Sequence, residues 1–156
     1  MLINRLHRTT IKQQVVVSLT PFNINVQSST HKAAVIDPWS DGAFPAYTYP
    51  APLWSSGNSP IWINVTFSSA GTWTVKADMG TNSNIGTTAM YNQDTDTSTG
   101  SPAGSLNTGV NANSGGPGGL SQANLGTVTV SQAGTRRLWF ALSGSSYYTM
   151  KTLYFS

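Results

Sequence analysis

Ile61, Ile63, Val65 and Phe67 alternate with Trp62, Asn64 and Thr66. A period of two marks a strand with one buried face. The alternation returns where Trp73, Val75, Ala77 and Met79 interleave with Thr74, Lys76 and Asp78, and again where Leu138, Phe140 and Leu142 interleave with Arg137, Trp139 and Ala141. Both later segments open on one phrase, Ser68-Ser69-Ala70-Gly71-Thr72 and Ser131-Gln132-Ala133-Gly134-Thr135. Ser-x-Ala-Gly is turn chemistry, because glycine accepts the positive φ of a tight reversal. Further strands are expected at 14–19, 22–26, 87–92, 125–130 and 147–155, with a short one around 106–110. Helical periodicity is nearly absent. About eight to ten short strands with polar turns predict an all-β fold, a single antiparallel β-sandwich of jelly-roll type. It would occupy residues 13–156 behind an N-terminal arm, 1–12, with the last strand pinned into a sheet.

Two stretches break the pattern. Residues 37–60 hold five of the eight prolines together with Trp39, Phe44, Tyr47, Tyr49 and Trp54, which reads as a long aromatic loop over one end or edge of the sandwich. From Gln93 to Asn124 the chain turns to Gly, Ser, Asn, Thr and Pro. A loop of that length in a compact domain is usually functional or mobile.

Composition narrows the function classes. Charged residues make up 8% of the 156 and glutamate is absent, against about 25% charged in an average domain. The surface must therefore be built from Ser, Thr, Asn, Gln and Gly. Five Trp, six Tyr and five Phe supply a core, which argues against disorder. Without cysteine there is neither a disulfide framework nor a thiolate metal site. The net charge of +3 is concentrated early: Arg5, Arg8, Lys12 and Lys32 precede the first carboxylate, Asp37. Dispersed cations fit a docking arm better than a nucleic-acid surface, which needs a clustered patch.

The opening residues carry charge, but Val15-Val16-Val17 is too short for the apolar centre of a signal peptide, about 7–15 residues. No run approaches the ~20 apolar residues of a membrane span. A surface of extracellular type without an export signal suits a protein released inside an assembled particle, such as a phage virion protein.

Catalytic chemistry is thinly supplied. His7 and His31 are the two histidines and both fall in the N-terminal portion. A glycosidase needs two carboxyls at a set separation, roughly 5–10 Å, and Asp37 with Asp94 is the pair to consider. Against this stands a surplus of serines that singles out no nucleophile. The expectation is no enzyme and no cofactor. Calcium is the one metal to weigh: Asp94 and Asp96, with Asn92 and Thr97, offer hard oxygens at alternating positions. They lack the glycine and bidentate glutamate of an EF-hand, and a solvated acidic turn is the competing reading. Trp39, Tyr47, Tyr49 and Trp54 form the candidate glycan- or partner-binding set. Aromatic planes stack on sugar C–H faces, and they also anchor protein interfaces. Trp62 and Trp139 lie opposite the inward residues of their strands, set to cover a second sheet face or to meet a partner.

The second half, about 60–156, resembles the galactose-binding-like β-sandwich, and within it carbohydrate-binding modules with two Ala-Gly turns flanking a variable loop. The resemblance rests on Ile61–Phe67, Ala70-Gly71-Thr72-Trp73, Leu125-Gly126-Thr127-Val128, Ala133-Gly134-Thr135 and Leu138-Trp139-Phe140. It implies sugar binding through loop aromatics. The same sandwich class resembles decoration and fibre proteins of phage particles. The sequence thus leads to a virion structural protein of capsid-decoration, cement or fibre type. It would be oligomeric, docked on a capsid or other virion protein through Arg5, Arg8, Lys12 and the aromatic loop, and able to hold a cell-surface glycan. A stand-alone carbohydrate-binding module is the alternative, and a glycan-processing enzyme the third.

Overall fold

The computed structural model describes residues 19–26, 34–35, 53–54, 60–81, 85–113, 118–144, 147–148 and 150–156. They form twelve strands: β1 (Phe22–Asn25), β2 (Ala34–Val35), β3 (Leu53–Trp54), β4 (Ile61–Phe67), β5 (Gly71–Thr81), β6 (Thr87–Gln93), β7 (Ala103–Leu106), β8 (Val110–Asn111), β9 (Gly118–Val130), β10 (Gly134–Ser143), β11 (Tyr147–Tyr148) and β12 (Met150–Phe155). The fold is all-β, as the alternation predicts.

Nine strands make one sheet in the order β1-β12-β5-β9-β6-β10-β4, with β7 and β8 attached to β6. The β1-β12-β5-β9 and β6-β10-β4 halves are antiparallel within themselves. They meet where β6 runs parallel to β9, at Gln93 and Thr129. The expected pair of purely antiparallel layers is therefore one mixed sheet, curled until it is nearly a barrel. Parallel neighbours need a crossover of a dozen or more residues, and the chain between Gln93 and Gly118 supplies it. At the open seam the edge strands touch through rings: Phe22 of β1 meets Phe67 of β4 edge-on at 5.6 Å.

The curled sheet encloses one core. Ile61, Ile63, Val65 and Phe67 are buried, as are Trp73, Val75, Ala77 and Met79, and Leu138, Phe140 and Leu142, matching the alternation in all three segments. β9 and β12 need a correction of phase. Their buried residues Leu125 and Val128, and Met150 and Leu153, are three apart, and each gap coincides with a shift in register. A bulge moves the next side chain back to the inner face.

The repeated turn phrase has a structural counterpart. Gly71 pairs with Val130, the last residue before the second copy, and Gly134 pairs with Phe67, the last before the first. The two turns thus lie side by side at one end of the molecule, crossing between the halves in opposite directions. Both glycines hold positive φ, +147° and +109°, which a side chain would resist. The C-terminal pinning also holds, since Ser156 and Thr74 exchange two backbone hydrogen bonds.

Two loop expectations are corrected. Leu53–Trp54 is a strand, central in a second sheet of order β11-β3-β2. Its backbone is satisfied on both sides, Trp54 lying opposite Tyr147 and Ala34. The polar stretch 93–124 contains β7, β8 and the first half of β9. Glycines serve contact there: a Cβ on Gly118 would come within 2.9 Å of Thr81 Oγ1, so the small residue lets β9 reach β5. The expected arm, residues 1–12, lies outside the described residues, as do 14–18 of the strand expected at 14–19, whose last residue, Leu19, is not in a strand.

Candidate functional site

The outer surface of the β10–β4 half carries the aromatic pair expected from the alternation. Trp62 and Trp139 are direct cross-strand neighbours. Neither offers an open platform. The Arg137 guanidinium lies over the Trp62 ring, 3.7 Å from its centre. Trp139 is only 2% exposed, because Thr95 lies beside it and accepts its indole N–H at 2.8 Å. The segment 94–101 is fastened there by two adjacent arginines. Arg136 pairs with Asp94 and, at 3.5 Å, with Asp96. Arg137 donates to the Thr99 carbonyl and, at 3.3 Å, to Asn64 Oδ1. Burial without a carboxylate beside it lowers the pKa of Arg137 below its ordinary value.

That arrangement revises the reading of Asp94 and Asp96. Asp94 is buried, and its oxygens accept from Arg136 and from the backbone N–H and hydroxyl of Ser131. It is not the solvated half of an acidic turn. Its lone pairs are committed, which leaves Asp96, 63% exposed at the side chain, as a poor start for a calcium site that needs six or more oxygens. Among the described residues no three His, Asp or Glu side chains cluster.

The opposite half carries a different face. Asn23 pairs with Tyr154, Tyr154 with Lys76, and Lys76 with Asn124. The four therefore form one row straight across β1, β12, β5 and β9. All alternate with core residues and point outward: Asn23 and Asn124 are exposed, Tyr154 and Lys76 half-buried. A groove of about 360 Å³ opens over the Asn23, Tyr154 and Lys76 part of this row. Its walls come from Pro21–Asn23, from Lys76 and Gln122, and from Tyr154–Ser156, so every one of the four strands contributes.

Asp78, on the same face of β5, holds the groove in shape. One oxygen accepts the Gln122 N–H at 2.9 Å and the other the Tyr154 hydroxyl at 2.6 Å. Gln122 stands at φ +47°, the only positive-φ residue other than glycine among those described, and the Asp78 bond helps to hold that costly conformation. The bond raises the Tyr154 pKa above 10.0, with desolvation and the Asp78 charge acting the same way and a Thr152 hydrogen bond opposing. The phenol thus stays neutral beyond its ordinary range, with its hydroxyl held by Asp78.

Trp39, Tyr47 and Tyr49, and the arm cations Arg5, Arg8 and Lys12, fall outside the described residues, as does Asp37. For Trp54 the backbone is placed in β3. The row was missed because the alternation around Lys76 and Asp78 shows only the outward face of β5. Their outward phase was legible, but no local signal pairs β5 with both β12 and β9.

No family model and no curated protein matches the chain. Among solved structures it is similar to the crystal structure of the Podospora anserina GH26-CBM35 β-(1,4)-mannanase, with a TM-score of 0.50 and 10% identity. The match covers 87% of this chain and 27% of that one, so the chain spans about a quarter of the mannanase. At that identity the likeness is one of fold.

Proposed function

We propose that this chain is a non-catalytic carbohydrate-binding module that holds a glycan in the groove over Tyr154. The observation that carries the reading is the row Asn23–Tyr154–Lys76–Asn124 across four antiparallel strands. A sugar asks for an aromatic plane to meet its C–H face and for polar groups around it to meet its hydroxyls. Tyr154 supplies the plane. Amides both donate and accept, and the Lys76 ammonium donates. The Tyr154–Asp78 bond fixes the ring before the ligand arrives, which reduces the ordering cost of binding.

Two further points support the reading. The structural neighbour is named as a mannanase joined to CBM35, and an all-β span of about a quarter of that chain suits a binding module better than a whole enzyme. The described side-chain carboxylates, Asp78, Asp94 and Asp96, are also arranged for structure: Asp78 and Asp94 are engaged by hydrogen bonds or an arginine. General acid–base work needs a carboxyl free to reach the reacting bond. Attachment to a virion through residues 1–12 and the aromatic loop is carried by residues outside those described, and nothing among the described residues favours it.

Affinity electrophoresis against soluble mannan, glucan, xylan and galactan decides the matter. The chain should be retarded by at least one polysaccharide, and Tyr154→Ala should abolish that retardation while Trp39→Ala and Trp54→Ala keep it. Retardation by none would overturn the proposal. Loss with Trp39→Ala or Trp54→Ala alone would move the site to the aromatic stretch.

A further inference from the structure

Resting on that reading, we infer that the groove takes an internal stretch of an extended glycan laid across the strands, in preference to a single sugar or a chain end. The row and the groove walls together fix the direction. The row steps from β1 to β12 to β5 to β9, and one groove draws walls from all four of these strands. Its long axis therefore runs perpendicular to the strands. Three strand spacings come to about 14 Å, the reach of a short oligosaccharide and well beyond one pyranose ring.

The distribution of chemistry along that axis fits several adjoining sugars. Tyr154 stands second in the row, between the amide of Asn23 and the ammonium of Lys76. A ring stacked on Tyr154 leaves Asn23 on one side and Lys76 on the other to meet its neighbours in the chain. Asn23 and Gln122, from the outermost strands of the groove, are both exposed, so each end offers a polar contact at the solvent boundary. A site for a chain end or monosaccharide would gather its polar groups around one ring.

Titration calorimetry with an oligosaccharide ladder, monomer to hexamer, tests this on the intact chain, using the series that corresponds to whichever polysaccharide retards it. Affinity should climb at least tenfold between monomer and trimer and level off beyond. Asn23→Ala, exposed and remote from the core, should cut trimer affinity severalfold while leaving the circular dichroism spectrum unchanged. A monomer that binds as tightly as the trimer, or an unchanged ladder in Asn23→Ala, would overturn the inference while leaving the binding module intact. Failure of every polysaccharide to retard the chain would instead remove the functional reading beneath it.

Discussion

Arg137 lies with its guanidinium 3.7 Å from the centre of the Trp62 ring, across the β4–β10 pairing that sets Arg137 opposite Asn64. The stack closes what would otherwise be an aromatic patch and turns it into an anchor for the 94–101 segment.

Replacing Arg137 tests that anchor. Its planar guanidinium stacks on the ring while its N–H groups reach Thr99 and Asn64, a geometry that lysine cannot reproduce. Arg137→Lys should lower stability by about 1–2 kcal/mol, from a weakened cation–π contact and lost hydrogen bonds. Urea denaturation followed by tryptophan fluorescence measures it, and proteolytic nicking between residues 94 and 101 should speed up. An unchanged midpoint would show that the stack holds nothing.

Asp94 should prove more costly to change than its place in a polar loop suggests. It faces Arg136 with side-chain exposures of 3% and 8%, so Asp94→Asn removes the buried counter-charge of that guanidinium and leaves it the exposed Asp96 at 3.5 Å. Breaking a buried pair from one side costs about 3–5 kcal/mol. Adding Arg136→Met to Asp94→Leu should restore much of that loss, since neither charge then remains buried. A double variant less stable than Asp94→Asn would contradict this account.

The legibility of the fold divides along the same line as these contacts. Ile61–Phe67, Trp73–Met79 and Leu138–Leu142 announced their inner faces because burial imposes a period of two on residues close in the chain. The bulges at Gly126 and Lys151 were hidden, since each changes phase through its partner strand. The alternation puts Arg137 on the outward phase of its strand, and nothing local shows that the Thr95–Arg137 bridge brings the polar segment over it. The row through Tyr154 depends wholly on pairings between β1, β12, β5 and β9, which are far apart in sequence. Turn chemistry was local, and the two Ala-Gly turns were readable for that reason.

The seam between the sheet's two edges offers a third test. Phe22 contacts Phe67 edge-on and stacks on Phe155 at 4.7 Å, so it links the paired β1 and β12 to β4 across a seam that has no backbone ladder. Phe67→Ala, in the fully buried position, should cost about 3–5 kcal/mol, and the half-buried Phe22 somewhat less. A double-mutant cycle on the two rings should give a coupling of about 0.5–1.5 kcal/mol. Additivity would mean that the seam is closed by other contacts.

The Tyr154–Asp78 bond predicts a pH dependence of definite sign. The phenol pKa is raised in the fold, chiefly by donation to Asp78, so in the alkaline range the folded chain keeps a proton that the unfolded chain has released. Stability from this bond is complete below the unfolded value of about 10 and falls as pH rises through the higher folded value. Tyr154→Phe removes both the bond and the titration. The parent chain should therefore be the more stable at pH 8, and its advantage should shrink as pH rises above about 10, measured by urea midpoints at each pH. Difference absorbance at 295 nm should show one tyrosine fewer titrating late in the variant. The same ring orients the groove, so glycan affinity should fall over this alkaline interval well before the chain unfolds. An advantage that grew with pH would reverse the sign and break the link between Asp78 and the neutral phenol.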